Sequence, residues 1–458
     1  MPRSRSWLHR AGALLALAAG AASSASSALA QKSKPAALGT PQKAAIADLA
    51  ARWWKARPAT RFEDWNPAER AALEREARAL GEIPEGSSAE AIELVWQAAR
   101  KSWKKIPLER GKLVLETPYG KAWAYVTGSG KNEPLILGLH GGGEDAGSAD
   151  EPRGTWQRKG ALGIYPQGIK LVHDTWNTVH GERFLLSLIE IAKLQFEVDP
   201  DRVYVAGFSM GGTGSWFMAG RHPDLFAGAS PCAGVFMASP KSQLAKKEQI
   251  LAIQHGLVPN VRDLALWYFI GEEDDHCFPG TYLYAADLLE RLRQDDPEGW
   301  KDVHFKTYPG LRHEFPKGEP EGALKFLFEQ ERQRAPATLV WEYAKVQSPE
   351  PDAEDKVTRI DTHAFYWLRC KDPQDRQWIR ATRSKNAIEL VCRGTASGAK
   401  GLTIYLDASL IDPAQEVVVT LAGAELYRGK PKPDFWSILE CMDERVERSM
   451  VFDRRIDL

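Results

Sequence analysis

RVYVAGFSMGGTG, residues 202–214, decides the fold. A short apolar run, Val203 to Ala206, leads into Gly207-Phe208-Ser209-Met210-Gly211, the GxSxG spacing at which a buried strand turns sharply into a helix. A serine hydroxyl is a poor nucleophile until such a turn lifts it clear of the sheet edge, where an imidazole can take its proton. Gly207 and Gly211 permit the turn because they lack the Cβ atoms that would collide where strand and helix close on one another.

Outward from this turn, strand-like and helix-like stretches alternate. LVLETP (113–118) and AWAYV (122–126) read as an antiparallel opening pair, followed by buried strands LILGLH (135–140) and LGIYP (162–166) and the helix FLLSLIEIAKLQF (184–196). Beyond Ser209 come a helix at 212–220, strands FAGASP (226–231) and ALWYFIG (265–271), a helix at 281–293, strand VHFKTYP (303–309) and a helix from Glu321 to Arg334. Alternation of this kind specifies a mostly parallel sheet covered by helices on both faces, here over residues 108–334.

The flanks differ in texture. Residues 31–107 read as helical, with Asn66-Pro67-Ala68-Glu69 offering a cap and Ser87-Ser88-Ala89-Glu90 the form of a capping box. Trp53, Trp54, Trp65, Trp96 and Trp103 are expected to face the following domain, with a lid over the site as the alternative. From 335 to 458, short strands such as QWIRATRS (377–384), AIELVCRG (387–394) and EVVVTLAG (416–423) follow one another without helices, the pattern of an antiparallel β-sandwich-like domain. At the other end, Arg3, Arg5 and Arg10 precede an apolar run too short to span a bilayer and the small-residue stretch closing at Ala30. This reads as a signal peptide cleaved after Ala30, so the mature chain is expected to be secreted or periplasmic, without a transmembrane segment.

Composition narrows the function. The chain has 458 residues, 43% hydrophobic and 26% charged, in the range of folded proteins. With 60 Lys and Arg against 61 Asp and Glu, and three of the arginines in the leader, it carries no basic cluster suited to nucleic acid. The five cysteines, Cys232, Cys277, Cys370, Cys392 and Cys441, have no zinc-type spacing. Cys232 and Cys277 fall after strands expected to be neighbours, and a disulfide between them is predicted.

Functional loops of an open parallel sheet lie at the C-terminal ends of its strands. Three such ends carry Ser209, the acidic run Glu272-Glu273-Asp274-Asp275, and His313. In that order His313 would accept the Ser209 proton, and Asp274, preferred over Asp275, would orient the imidazole. The acidic run reads alternatively as a solvated loop or a cation site with His276, although its sequential carboxylates do not suit octahedral ligation. His140-Gly141-Gly142-Gly143, after a strand, and Met210, at a helix start, offer backbone N–H groups for an oxyanion; Gly141, Gly142 and Met210 are the candidate donors. No metal and no cofactor is called for.

These segments, with IYPQG, DTWN, HPDLFAGASPCAG and YPGLRHEFP, resemble secreted esterases of the α/β-hydrolase superfamily, related to polyhydroxybutyrate depolymerases and feruloyl esterases. The likeness runs from near Lys112 to Arg334. It implies Ser209 as nucleophile with Asp274 and His313, aromatic residues Tyr165 and Trp176 near the cleft, and a small-molecule or polymer-linked ester as substrate. Asp275 stands where many such relatives carry proline or another small turn residue. Two alternatives are a serine peptidase of prolyl-oligopeptidase type, which ordinarily carries a long repeat-built domain ahead of its triad, and an inert hydrolase fold whose β domain binds.

Overall fold

Val203–Phe208 forms β6, which pairs in parallel with β4 (Leu135–Leu139) on one side and β7 (Gly228–Cys232) on the other. Every residue of β4, of β7 and of β5 (Leu162–Pro166) is buried, as expected of strands covered on both faces. Side-chain alternation along these strands builds two cores. Val203 and Val205 join Phe184 and Leu188 of α5 (Val179–Gln195) and Phe217 of α6 (Met210–Arg221), whereas Tyr204 and Ala206 point the opposite way, to Trp156 of α4 (Asp150–Trp156) and Leu324 and Leu327 of α8 (Glu319–Phe328).

The remaining strands are β1 (Leu108–Glu109), β2 (Lys112–Thr117), β3 (Gly120–Thr127), β8 (Ala265–Gly271) and β9 (Val303–Tyr308). The nine-stranded order is β1-β2-β3-β5-β4-β6-β7-β8-β9, antiparallel through β3–β5 and parallel from there on. With helices on both faces this is the α/β-hydrolase fold. The computed structural model describes residues 37–142, 147–168, 175–235, 258–277, 279–343, 348–349, 357–358, 362–374, 377–394 and 398–458. The leader and its cleavage point, and Gly143, lie outside the described residues. Among the described residues no helix is long and apolar enough to cross a membrane.

The C-terminal segment contains a five-stranded sheet, β10 (Thr338–Glu342), β15 (Trp378–Ser384), β16 (Ala387–Arg393), β18 (Val417–Leu421) and β19 (Ala424–Gly429). It also contains a four-stranded sheet, β13 (Ala364–Phe365), β14 (Leu368–Cys370), β17 (Leu402–Leu406) and β20 (Arg454–Asp457). A two-stranded ladder, β11 (Ser348–Pro349) with β12 (Val357–Thr358), completes it. Two features depart from the all-antiparallel expectation. β16 and β18 run parallel, and α9 (Phe435–Arg445) follows β19, opened by Asp434, whose carboxylate accepts the Ser437 N–H at 2.9 Å. That cap was readable from the sequence; the strand-rich text around it hid it.

The N-terminal helices α1 (Thr40–Ala56), α2 (Pro67–Leu80) and α3 (Ser88–Ser102) share their core chiefly with this C-terminal segment. Trp53 meets Trp65 and Trp436 edge to face, with ring centroids 4.7 and 5.7 Å apart. The expectation that the tryptophan face covers the next domain is corrected accordingly; Trp103 alone of the five also touches the core of the large sheet. Asn66 caps α2, accepting from Ala68 and Glu69 N–H. The capping box at Ser87 is not made, because its hydroxyl donates to Pro84 O at 2.6 Å while Glu90 pairs with Lys43. Buried ion pairs fasten the parts. Arg57 bridges Glu190 and Asp443, and Arg332 bridges Asp201 and Glu447, with Lys193 also on Glu447.

The predicted disulfide is absent. Cys232 and Cys277 are both free thiols; Cys232 Sγ lies 3.2 Å from Ser230 Oγ, and burial pushes its ionisation far up.

Candidate active site

Ser209 sits between β6 and α6 at φ 57° and ψ −120°, a left-handed backbone seldom tolerated outside glycine. Its N–H is held by Cys232 O at 3.0 Å and its carbonyl accepts the Thr213 N–H at 2.9 Å, so neighbouring structure fixes the strain. A Cβ on Gly207 would stand 2.4 Å from Gly211 O, and one on Gly211 2.1 Å from Leu139 O; the two glycines are demanded by close approach.

The strand ends then converge. Ser209 Oγ lies 2.8 Å from His313 Nε2, and His313 Nδ1 lies 2.8 Å from Asp274 Oδ2. The Asp274 side chain is fully buried and its other oxygen accepts N–H groups of His276 at 2.9 Å and Cys277 at 2.7 Å. A carboxylate on Nδ1 assigns the proton to that nitrogen and leaves Nε2 as acceptor for the serine hydroxyl. Asp275 points elsewhere. It is exposed, accepts from Arg312 and meets His276 Nδ1 at 2.9 Å, and these two partners hold its carboxyl below the usual range.

The Gly-rich strand end is braced by its own histidine. Gly168 N–H donates to His140 Nε2 at 3.0 Å, so Nδ1 carries the proton and donates to Gly141 O at 2.6 Å. Burial lowers the His140 pKa, consistent with a neutral structural ring. Of the candidate N–H donors, Gly141 is already committed: it donates to Glu151 Oε2 at 2.9 Å. This corrects its candidacy. Gly142 lies against Met210, where an added Cβ would be 2.8 Å from the Met210 sulfur. Met210 N–H belongs to the first turn of α6, which has no intrahelical acceptor.

Tyr165 and Trp176 are corrected too. Tyr165 is completely buried beneath Gly138, where a Cβ would be 2.7 Å from its ring, and burial pushes its hydroxyl up to about 12. Trp176 is equally buried; its indole N–H donates to His140 O at 3.0 Å and its Cβ fills the space beside Gly214. One is core and the other supports the strand end at His140 from behind. Three other residues stand at the site: Glu151 and Phe208, the latter 4.8 Å from the His313 ring, which were unforeseen, and His276, which was read only as part of an alternative cation site and whose ring stacks on His313. His276 was legible as the neighbour of the acidic run, whereas nothing in the text ties Glu151 to Gly141.

Two donor groups of metal-ligating type occur here among the described residues, Asp274 with Cys277 and His313, and Asp274 with Asp275 and His276. Both rest on Asp274, whose oxygens are already bonded to an imidazole and two backbone N–H groups.

Residues 132–312 match the family model described as "Esterase". A poly(3-hydroxyalkanoate) depolymerase C of Paucimonas lemoignei is 33% identical over 123 residues, 24% of this chain and 29% of that protein. A bifunctional acetylxylan esterase/xylanase of Neocallimastix patriciarum is 31% identical over 117 residues, 24% of this chain and 17% of that protein. An uncharacterized secreted protein of Arthroderma benhamiae is 27% identical over 231 residues, 45% of this chain and 24% of that protein. The chain thus spans less than a third of each of these relatives.

Proposed function

We propose that this chain, in which residues 132–312 carry the esterase match on an α/β-hydrolase sheet, cleaves carboxylic esters through an acyl-enzyme formed on Ser209. The observation that carries the reading is the unbroken relay from Ser209 Oγ through His313 to buried Asp274, both links at 2.8 Å, set on a strained strand-to-helix turn. The serine oxygen attacks the acyl carbon as its proton passes to His313 Nε2. The imidazolium, favoured by Asp274, returns that proton to the departing alcohol as the acyl–oxygen bond breaks. Water then enters, gives its proton to the same nitrogen and releases the acid from Ser209. Met210 and Gly142 N–H groups are the donors for the tetrahedral oxyanion, each worth about 3 kcal/mol of barrier lowering.

In this reading residues 108–334 are the catalytic domain, 31–107 a helical segment and 335–458 an appended β domain. Residues 1–30 are the leader of an exported protein. The names of the two characterised relatives point to acyl groups carried on or within a polymer as the substrate class.

The test is turnover of p-nitrophenyl acetate and butyrate by the purified protein, with fluorophosphonate labelling. Ser209→Ala is expected to abolish both while leaving the circular dichroism unchanged. An unlabelled Ser209 in folded protein, or cleavage of proline anilides without ester cleavage, overturns the proposal.

A further inference from the structure

Among the described residues, the serine centre carries a carboxylate whose charge no neighbour balances. Asp274 is occupied by His313 and two backbone N–H groups, and the exposed Asp275 by Arg312. Glu151, on the first turn of α4, differs from both. Its Oε2 accepts the Gly141 N–H at 2.9 Å, while its Oε1 has no partner and no cation pairs with it among the described residues. The arginine on its own helix, Arg153, is taken by Asp150 at 2.6 Å and lies over the Tyr125 ring.

This carboxylate stands beside the nucleophile. A Cβ added to Gly141 would lie 3.4 Å from Glu151 Oε2 and 3.7 Å from the Ser209 Cβ, so a single methyl group would touch both. Glu151 is nonetheless an exposed residue, unlike the sealed Asp274. One oxygen is turned to the backbone and the other is left for whatever approaches the serine.

Charge is what such a group reads. An ionised carboxylate accepts and cannot donate, so it attracts N–H donors on a cation and repels a second carboxylate. Near a protein surface, two unit charges several ångströms apart interact strongly enough to change affinity by about tenfold. We infer that Glu151 sets the charge preference of the serine centre, drawing in esters that bear an amine or ammonium group close to the acyl bond and turning away those that bear a carboxylate there. The inference rests on the ester-hydrolase reading above and adds a substrate class to it. Glu151 meets the substrate through Oε1 while it holds Gly141 through Oε2.

The test is calorimetric binding at pH 8 of three phenylboronates that differ only in one substituent: meta-aminomethyl, meta-methyl and meta-carboxy. The Ser209 oxygen adds to boron as its proton passes to His313, so affinity is read without turnover. The aminomethyl compound is expected to bind about tenfold more tightly than the carboxy compound, with the methyl compound between them. Glu151→Gln keeps an acceptor for the Gly141 N–H and removes the charge; it should bring that ratio to within about twofold. Effects that reach all three compounds alike through Gly141 cancel in the ratio. In the wild type the ratio should shrink as salt rises from about 20 to about 500 mM, a response that a purely structural glutamate would not give. The same order is expected in kcat/KM for acetylcholine, neohexyl acetate and acetoxyacetate. An equal ratio in wild type and Glu151→Gln, a ratio indifferent to salt, or tighter binding of the carboxy compound overturns the inference while leaving ester hydrolysis standing. Turnover of no ester together with binding of no boronate strikes the ester-hydrolase reading, and this inference with it.

Discussion

His276 lies face to face with His313, ring centroids 4.6 Å apart and planes 22° from parallel. Asp275 fixes the outer imidazole through Nδ1 while Phe208 packs on the inner one at 4.8 Å, so the ring that must hand a proton in two directions is confined by aromatic neighbours. Losing a ring contact of this kind costs about 1 kcal/mol. His276→Ala is therefore expected to lower kcat about fivefold with KM unchanged. His276→Phe, which keeps the stack and removes the titratable group, should restore most of it. Steady-state kinetics of the two variants decide, and equal losses in both would point to a role for the imidazole itself.

The two adjacent aspartates are expected to separate cleanly. Asp274 is buried with both oxygens bonded at the relay, whereas Asp275 is exposed and faces Arg312. Asp274→Asn should reduce kcat by about four orders of magnitude, because an amide no longer holds the productive tautomer. Asp275→Asn should change it by no more than about fivefold, through His276 alone. A reversed order in kcat would reassign the acid to Asp275.

The strand succession 113–118, 122–126, 135–140, 162–166 and 202–207 was legible because apolar runs bounded by turn residues are a local signal, and the sheet follows from their order. So was the region of Ser209, since GxSxG spacing reflects a backbone contact, Gly207 against Gly211, only four residues long. Tyr165 and Trp176 escaped because whether an aromatic at a strand end lines a cleft or plugs a core depends on what lies above it. Above Tyr165 lies Gly138, 27 residues away. Gly141 escaped for a like reason: its N–H is consumed by a carboxylate on α4. In the flanks, β16 and β18 run parallel through a crossover that contains β17, a pairing no local pattern encodes.

Glu151 is expected to orient the oxyanion loop. By accepting the Gly141 N–H it fixes the His140–Gly141 peptide plane, one before the plane that carries the Gly142 N–H, and Trp176 holds the carbonyl of that same plane from the other direction. Burial raises the carboxyl pKa against the pull of that N–H. Glu151→Gln retains an acceptor and should stay near wild type. Glu151→Ala frees the loop and should lower kcat about tenfold with little change in KM, since one donor of the pair loses its aim. The affinity of a boronate transition-state analogue should fall in parallel; a KM effect alone would place Glu151 in substrate binding instead.

Glu447 ties the C-terminal segment to the helical layers around the nine-stranded sheet through Lys193 of α5 at 2.5 Å and Arg332 at 2.5 Å, all three side chains sealed from water. Burial raises the carboxyl pKa, but the two cations overcome it and bring it down to about 2. With the folded pKa below the unfolded one, the stabilisation is present above about pH 4.5 and is lost as pH falls toward 2. Glu447→Ala strands two buried cations and should cost about 3–5 kcal/mol at pH 7 in urea denaturation. The gap between variant and wild type should narrow on acidification; a gap independent of pH would mean that packing, not charge, is lost.

Glu342 on β10 presents the opposite sign. Its backbone is tied to Asn260 on both sides, at 2.7 and 2.9 Å, while burial alone acts on its carboxyl and pushes it up to about 7. An acid whose folded pKa exceeds its unfolded value binds protons more readily when folded, so the protein loses stability as pH rises from about 4.5 to 7 and bears the full penalty above that. Glu342→Gln removes the charge and keeps the shape. It should raise stability at pH 8 by on the order of 2 kcal/mol and leave it nearly unchanged at pH 4.5. Thermal unfolding of the two proteins at both pH values measures this directly; an equal gain at pH 4.5 and pH 8 would show that the carboxyl does not titrate in this window.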